Sequence, residues 1–597
     1  MRTRLLSDWA ARAFADLDPA RILFEDDDLI AVDKPAGVAC QAPDATRPDD
    51  LPLRIRRLLA ARRGVSLDSV YLGTHQRLDA DTSGVIVYTL RPEANAALAA
   101  QFRERAVEKH YLAAVSGKPP APGSRLESHL ARAGGRSKVA PQRAPNAKLA
   151  VSRVLALRSE SGRHLLELAI DTGRTHQIRA QLAEHGCPLV GDALYGGTPA
   201  FRVYLHAARL CLRHPRDGRP LEWSAPPPIE LEDFLRHGVR PAFRDPALLA
   251  SALDHACQRR FALGRGLQSG ETTVFRLLHE AADGVPGFGV DVYDDWLVVR
   301  EVADVAPEDE SALLSGLARL GVAGAYLKRH PKQANELSQG DDPRVAPSAP
   351  VFGREAPESL EVCEYGLPFE AHLHDGLRTG LFLDQRENRR RLGEIAHGKR
   401  VLNLFAYTGS FSVAALAAGA TSVTTVDVSR VALAWAERNV ARIDATERHR
   451  TLPRDAFEAL EMFAVRGERF DLIVVDPPSY ATTKRGRFRV TKDYVSLCRA
   501  AFGVLSEQGA LLACLNARGV TQAGLRRFVH EAADAARLSL RALTDLPTQS
   551  DFPLVAGAEP PAKSVLAWIQ GPELSSRARS IRRSDGGAAR RLRRTSR

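Results

Sequence analysis

The sequence predicts a multidomain protein that ends in an α/β domain with a doubly wound parallel sheet, and three observations lead there. Its 597 residues are more than one hydrophobic core holds, so three or four domains are expected. Beyond residue 400, buried strands alternate with helices, the pattern that builds a parallel sheet. Earlier in the chain, strands come in turn-linked pairs, as at Ile22–Lys34 and Arg276–Tyr293.

Composition sets the class. Hydrophobic residues make up 44% and charged residues 26%, which suits globular domains with buried cores. No apolar run approaches the ~20 residues of a membrane span, and Met1–Trp9 lacks the apolar stretch of a secretory signal. The cysteines (Cys40, Cys187, Cys211, Cys257, Cys363, Cys498 and Cys514) are scattered, odd in number and free of Cys-x-x-Cys spacing. That argues against a zinc site or disulfide framework, so no metal is expected, and for a reducing cytoplasm. A net charge of +11 favours a polyanionic partner. Nothing fixes an oligomeric state.

The first domain is expected over residues 1–235. Ile22–Asp33 alternates apolar and acidic residues before Lys34-Pro35-Ala36-Gly37, which reads as two short strands and a structural loop. Val70–Gly73 fits a strand and turn. The octet Arg77-Leu78-Asp79-Ala80-Asp81-Thr82-Ser83-Gly84 follows, then the buried strand Val85–Tyr88. A carboxylate on a turn against a buried strand is partly desolvated, so Asp79 must rise in pKa or find a cation. Taken alone, it equally fits a turn-capping Asp. Arg91–Ala106, with Pro92 near its start, reads as a helix, and Tyr111–Val115 as a strand. Residues 118–150, rich in Pro, Gly, Arg and Lys, read as a mobile basic excursion. Leu165–Ile170 is a strand, and a helix runs from Thr175 to Glu184 with Gly186 closing it.

Taken together, the Ile22–Gly37 stretch, the octet, Lys109-His110-Tyr111, Thr172-Gly173-Arg174-Thr175-His176-Gln177-Ile178-Arg179 and Gly191-Asp192-Ala193-Leu194-Tyr195-Gly196 form an ordered series. Over roughly residues 20–230 it resembles the RluA-type pseudouridine synthases. The resemblance implies an α+β domain with a mostly antiparallel sheet, acting on RNA. It implies Asp79 as the covalent catalyst, Arg179 as the ion-pair partner that depresses its pKa, and Tyr111 as the aromatic beside the base. The reaction is an isomerisation: no atom leaves overall, so no cofactor is needed. A uridine in folded RNA must first be extruded. In that setting the 118–150 excursion is expected to contact RNA. His176 has no partner at ligand spacing and reads as structural. Gln76 stands where many members carry His. Residues 1–20 are too few for the S4-type RNA-binding domain that many members have.

A linker at Arg236–Pro241 leads to a middle module over residues 236–355. Asp245-Pro246 is an N-cap followed by proline at the first helical position, and the helix continues through Leu249, Leu253 and Ala256. Strands are expected on either side of Gly284–Gly287 and at Trp296–Arg300, with an irregular loop over residues 329–358. This small α/β module resembles the middle domain of RlmI-type rRNA methyltransferases.

The second catalytic domain is expected over residues 356–571. Val401–Phe405 is a buried strand, Ala406–Ser410 a turn, Phe411–Ala418 a small-residue helix, and Val423–Val426 a strand ending in Asp427. Ser429 caps the next helix. Phe470–Val475 then runs into Asp476-Pro477-Pro478-Ser479. With Gly380–Arg386 and Arg454–Phe457, these features resemble the S-adenosylmethionine-dependent methyltransferases, closest to the RlmI and RlmK groups and Rossmann-like in fold. The resemblance implies S-adenosylmethionine as cofactor. It places Asp427 on the ribose, Asp455 near the adenine, and Phe405, Tyr407, Thr408 and Gly409 under the methionine part. Asp476 and Pro477 would lie near the transferred methyl and the target base. Helix capping is the plain alternative for Asp427 and Asp455.

The acceptor atom follows from chemistry. Cytosine C5 needs a thiolate added at C6. In 5-methylcytosine enzymes of this group that Cys follows the strand after Asp-Pro-Pro; here Asn516 matches its position, and Cys514 lies two residues earlier and reads as a packed strand residue. Leu515–Gly519 and Gln549–Phe552 look like the RlmK version, whose members methylate guanine N7. N7 has a free lone pair, and carboxylates such as Asp476 and Asp551 favour the developing cation. Tyr480–Arg489 interleaves basic and aromatic residues suited to RNA phosphates and unstacked bases. Residues 572–597 read as a disordered basic tail. The expectation is thus a cytoplasmic, bifunctional enzyme of ribosomal RNA. The alternatives are a 5-methylcytosine methyltransferase half, or one silent half that only binds RNA.

Overall fold

The computed structural model describes residues 8–570 apart from 43–48, 268–269, 331–341, 479, 484–485, 518 and 556, and of 480–483 and 486–487 the backbone only. The expected tail at 572–597 and Arg518 lie outside the described residues. No described helix is long and apolar enough to cross a membrane. Two compact units divide the chain. One takes the residues up to Gly366 with Ala371–Thr379 and Ser550–Ala558; the other takes Leu367–Glu370, Gly380–Gln549 and the residues from Glu559 on.

The first unit holds eleven strands in one sheet: β1 (Ile22–Glu25), β2 (Leu29–Lys34), β3 (Gly73–Thr74), β4 (Ser83–Thr89), β5 (Glu108–Val115), β6 (Arg125–Ala133), β7 (Arg136–Ala140), β8 (Lys148–Glu160), β9 (Arg163–Ile170), β10 (Leu205–Arg213) and β11 (Pro220–Ser224). The main path is β1-β2-β4-β10-β5-β9-β8-β6-β7. Among the described residues every pairing is antiparallel except β4 with β10, so the sheet is mostly antiparallel as expected. The run Ser83–Thr89 is buried at every position, as a central strand covered on both faces must be.

The 118–150 segment departs from the expected mobile excursion. It holds β6, β7 and the start of β8, paired in register. Gly134 and Gly135, at φ 56° and 80°, make the tight turn between β6 and β7, a backbone only glycine enters freely. Val70–Leu72 is coil that follows a 3-10 turn at Leu67–Ser69 rather than a strand, and β3 begins at Gly73. The Arg236–Pro241 stretch is also tighter than a linker: the Ile229–His237 helix occupies its start, and Gly238 accepts the turn out of it.

In the same unit a second sheet runs β12 (Val274–His279), β13 (Phe288–Tyr293), β14 (Trp296–Glu301), β15 (Gly324–Arg329) and β16 (Phe352–Gly353). Asp245 caps the Pro246–Arg259 helix, accepting from Ala247 N and Leu248 N as its Asp-Pro pair predicts. One continuous core joins Trp9, Phe14, Leu231 and Phe234 to Phe243, Leu253, Phe275 and Leu297. The rings of Phe14 and Phe275 meet edge to face at 5.7 Å.

After strands β17 (Leu360–Glu364) and β18 (Leu367–Ala371), the second unit builds β19 (Arg400–Leu404), β20 (Ser422–Asp427), β21 (His449–Pro453), β22 (Phe470–Val475), a hairpin of β23 (Tyr480–Thr483) and β24 (Gly486–Arg489), then β25 (Leu505–Leu515), β26 (Leu540–Asp545) and β27 (Lys563–Ile569). The main sheet is ordered β21-β20-β19-β22-β25-β27-β26. Its first five strands are parallel, and β27 runs antiparallel to both of its neighbours, β25 and β26. Strand order reverses between β19 and β22, which opens a crevice at their carboxyl ends.

Candidate active sites

Asp79 occupies the turn leading into β4, and the residues around it are held from several sides. Lys34, fully buried, donates from Nζ to the carbonyls of Pro35 (2.9 Å), Val38 (2.6 Å) and Ala80 (2.7 Å). Burial brings its ammonium down to about 8. Arg179, on the Gln177–Glu184 helix, donates from Nη1 to Asp79 Oδ2 at 2.9 Å. Its other edge is fixed by Asp192, which is completely buried and accepts from Nε at 2.7 Å and Nη2 at 2.8 Å. Burial works against the Arg179 charge, but Asp192 and then Asp79 more than offset it and raise its pKa. Tyr111, on β5, is buried; burial and then the Asp79 carboxylate push its hydroxyl above the usual range, so it stays protonated.

The sequence reading missed two members of this site. Asp192 stands in the Gly191–Gly196 motif, but nothing local shows that it grips a guanidinium thirteen residues upstream. His176, read as structural, takes a left-handed backbone (φ 52°) that brings Nε2 to 3.9 Å from Asp79 Oδ1 and Nδ1 to 3.1 Å from Tyr195 Oη. Tyr195 in turn donates to the Ser137 carbonyl at 2.7 Å, which ties the β6–β7 hairpin to the site. Elsewhere, Asp26, Asp28 and His214 converge closely enough for a cation, but Arg216 and Arg219 already pair with these carboxylates.

The second site lies at the carboxyl ends of β19, β20 and β22. Phe405 (φ 55°), Tyr407 (φ 50°) and Gly409 (φ 74°) make a left-handed turn after β19. A Cβ on Gly409 would fall 2.6 Å from Ala436 Cβ, so this position admits glycine alone. Thr408 donates from Oγ1 to the Gly380 carbonyl at 2.6 Å. Asp427, ending β20, accepts from Tyr407 N and from Ser429 N, each at 2.9 Å. Asp455 caps the Ala456–Val465 helix through one oxygen, accepting from Phe457 N at 2.9 Å. Val428 (66% exposed) and Phe382 (47% exposed) leave apolar surface open beside these groups.

Asp476 follows β22, with Pro477 buried behind it. Gln385 donates to its Oδ2 at 3.2 Å. Burial, then the neighbouring Asp384 carboxylate, push its pKa up to about 7 against the pull of Arg389. Cys514 is completely buried in β25; Ser564 Oγ lies 3.4 Å from its Sγ, and burial and then Asp476 push the thiol well above its usual range. Asn516 is the first exposed residue past β25. Two expectations change here. Phe488 is a core residue against Phe405 and Phe457, not an open stacking surface. Asp551 is buried in the first unit, where its carboxylate accepts from Arg276 N at 3.0 Å.

Residues 28–184 match the family model described as RNA pseudouridylate synthase, and residues 276–566 match that described as S-adenosylmethionine-dependent methyltransferase. A Bacillus subtilis protein named putative ribosomal RNA large subunit methyltransferase YwbD is 33% identical over 48% of this chain and 69% of its own length. The chain belongs to the S-adenosylmethionine-dependent methyltransferase family. Its first part is an RNA pseudouridylate synthase domain, so two enzymes share one chain. A Deinococcus radiodurans ribosomal RNA large subunit methyltransferase is 36% identical over 46% of the chain and 68% of its own length. The Escherichia coli ribosomal RNA large subunit methyltransferase I is 31% identical over 47% and 70%. A solved Streptococcus mutans putative methyltransferase is 26% identical at TM-score 0.47, covering 60% of this chain and 88% of its own. The human RNA pseudouridylate synthase domain containing 4 is 22% identical at TM-score 0.31, covering 38% and 94%.

S-adenosylmethionine is the methyltransferase family's cofactor, and the residues at the β19–β20 ends fit it. Asp427 offers a carboxylate at the end of the second strand of the fold, the position that takes ribose hydroxyls in such sheets. Val428 and Phe382 are exposed apolar residues that could face an aromatic base.

Proposed function

We propose that this protein modifies large-subunit ribosomal RNA twice. Residues 1–235 isomerise a uridine to pseudouridine, residues 356–571 methylate guanine at N7, and residues 236–355 form the module between them. The basic charge of +11 and the names of the three bacterial relatives support ribosomal RNA as substrate. A ribosomal RNA substrate supports a cytoplasmic location.

The observation carrying the isomerase reading is Asp79 paired with an arginine that buried Asp192 holds in place. Asp79 attacks C1′ and the bond from C1′ to N1 breaks; the base turns, and C5 bonds to C1′ as the bond from C1′ to the Asp79 carboxylate breaks. The C5 proton is lost and N1 gains one, so the atoms balance. Arg179 supplies the counter-charge beneath the flipped base. Tyr111, kept protonated, offers a stacking face.

For the methyl acceptor the carrying observation is Cys514. Its thiol is buried and resists ionisation, which disfavours the covalent route to 5-methylcytosine. N7 needs no such nucleophile. The bound cofactor supplies an electrophilic methyl group. Asp427 holds the ribose, Asp455 the adenine side, and Phe405, Tyr407, Thr408 and Gly409 the methionine part. Pro477 shapes the wall, and Asp476 with Asp384 favours the cation that forms on the ring.

Mass-spectrometric mapping of ribosomal RNA from a deletion strain tests both halves. Complementation with Asp79→Asn should restore only the methyl mark, and Asp476→Ala only the pseudouridine. A deletion strain with every pseudouridine and every 7-methylguanine intact would end the proposal.

A further inference from the structure

Neither family match covers residues 185–275, and within them lies the Pro246–Arg259 helix. It belongs to the same compact unit as Asp79 and touches the loop that carries it. His255, with a side chain only 2% exposed, sets Nε2 3.4 Å from Asp81 Oδ1. Its Nδ1 is buried without a hydrogen-bond partner among the described residues, so the ring is aimed at Asp81. The Lys34–Gly37 loop fills the space between. Gly37 N donates to the Ala80 carbonyl at 2.9 Å, and a Cβ on Gly37 would come within 3.0 Å of Arg259 Cγ and 3.2 Å of His255 Cδ2. A second line runs through buried groups. Ser251 donates to Glu230 at 2.9 Å, Glu230 pairs with Arg202, and Arg202 Nη1 donates to the Asp81 carbonyl at 3.1 Å.

The Asp79 turn has no regular secondary structure of its own, and Thr82 N to the Asp79 carbonyl (3.1 Å) is its one internal backbone bond among the described residues. Besides Arg179 on Asp79 and Leu78 N on Cys40 Sγ (3.4 Å), its anchors include Ala80 and Asp81, directly after the reacting residue. Burial works to raise the Asp81 carboxyl, but His255, Arg259 and Lys34 more than offset it and hold the group below the usual carboxylate range. The helix is itself pinned to the isomerase sheet side by Arg21 on Asp254 (3.0 Å) and Arg54 on the Gln258 carbonyl (3.2 Å).

We infer that the Pro246–Arg259 helix positions the Asp79 loop, and that His255 is a positioning residue for uridine isomerisation. The inference rests on the reading of Asp79 as the reacting group. Misplacing a reacting group by about 1 Å can cost up to about a hundredfold in rate. The test uses the full-length protein and unmodified large-subunit ribosomal RNA transcripts. His255→Ala should lower kcat for pseudouridine formation by between about tenfold and a hundredfold, with KM unchanged. His255→Gln, whose amide can still donate to Asp81, should recover most of that loss. Asp81→Asn combined with His255→Ala should be less than additive. Amide hydrogen exchange across residues 79–82 should quicken in His255→Ala. Wild-type kcat and wild-type loop exchange in His255→Ala would overturn the inference, as would a loss that His255→Gln does not recover and that lowers methyl transfer equally. If the wild type makes no pseudouridine while Asp79→Asn behaves identically, the isomerase reading falls, and loop exchange alone still decides whether the helix holds the loop.

Discussion

Removing the Asp192 carboxylate should disarm the isomerase through Arg179. Asp192 is completely buried and takes two charge-assisted bonds from an Arg179 side chain that is itself 11% exposed. Each such bond contributes about 1.5–3 kcal/mol. Deleting one partner of a buried pair costs about 3–5 kcal/mol, because the remaining charge stays desolvated. Asp192→Ala should therefore lose about 3–5 kcal/mol of unfolding free energy. Asp192→Asn, which keeps one acceptor oxygen, should lose roughly half of that. With its Nε and Nη2 edge free, Arg179 no longer presents Nη1 squarely to Asp79, so kcat should fall between about tenfold and a hundredfold with little change in KM. Tritium release from RNA labelled at uridine C5 reads the rate, since the new bond forms at that carbon, and chemical denaturation reads the stability. An Asp192→Ala protein with wild-type tritium release and an unchanged denaturation midpoint would refute the reasoning.

Cys514→Ala should leave methyl transfer within twofold of wild type, measured with labelled cofactor, since a buried thiol of raised pKa is not a nucleophile. Asp476, raised to about 7, is mostly protonated near pH 6 and mostly ionised near pH 8. If its negative charge favours the forming cation, methyl transfer should rise across that window, and Asp476→Asn should be slow and flat; a flat wild-type profile would remove Asp476 from that role. A chain cut after residue 240 should expose the apolar partners of Phe14 and Phe234 and aggregate, because the core continues through Phe243 and Phe275; a soluble, cooperatively melting 1–240 fragment would contradict that.

The parts of the fold that local patterning controls were legible. Buried runs such as Val85–Tyr88 and Phe470–Val475 became central strands, and Asp245 and Ser429 became the caps their spacing implied. The β6–β7 hairpin was missed because its charged composition masked a Gly-Gly turn signal that was present. Cys514 was placed correctly on a strand and read correctly as packed; how little it could ionise waited on the burial of its neighbours.

The order of residues along the chain determined which chemical groups were on offer: a carboxylate ahead of a buried strand, an arginine in the first turn of a short helix, an acid and two prolines at a strand end. Backbone propensity and hydrophobic period act over a few residues, so they settle such local matters. Tertiary structure alone decided who holds whom. Asp192 grips Arg179, His255 reaches Asp81 across 174 positions, and Asp384 raises Asp476. These pairings depend on how sheets and helices close on one another, and desolvation, which sets their strength, exists only once they have.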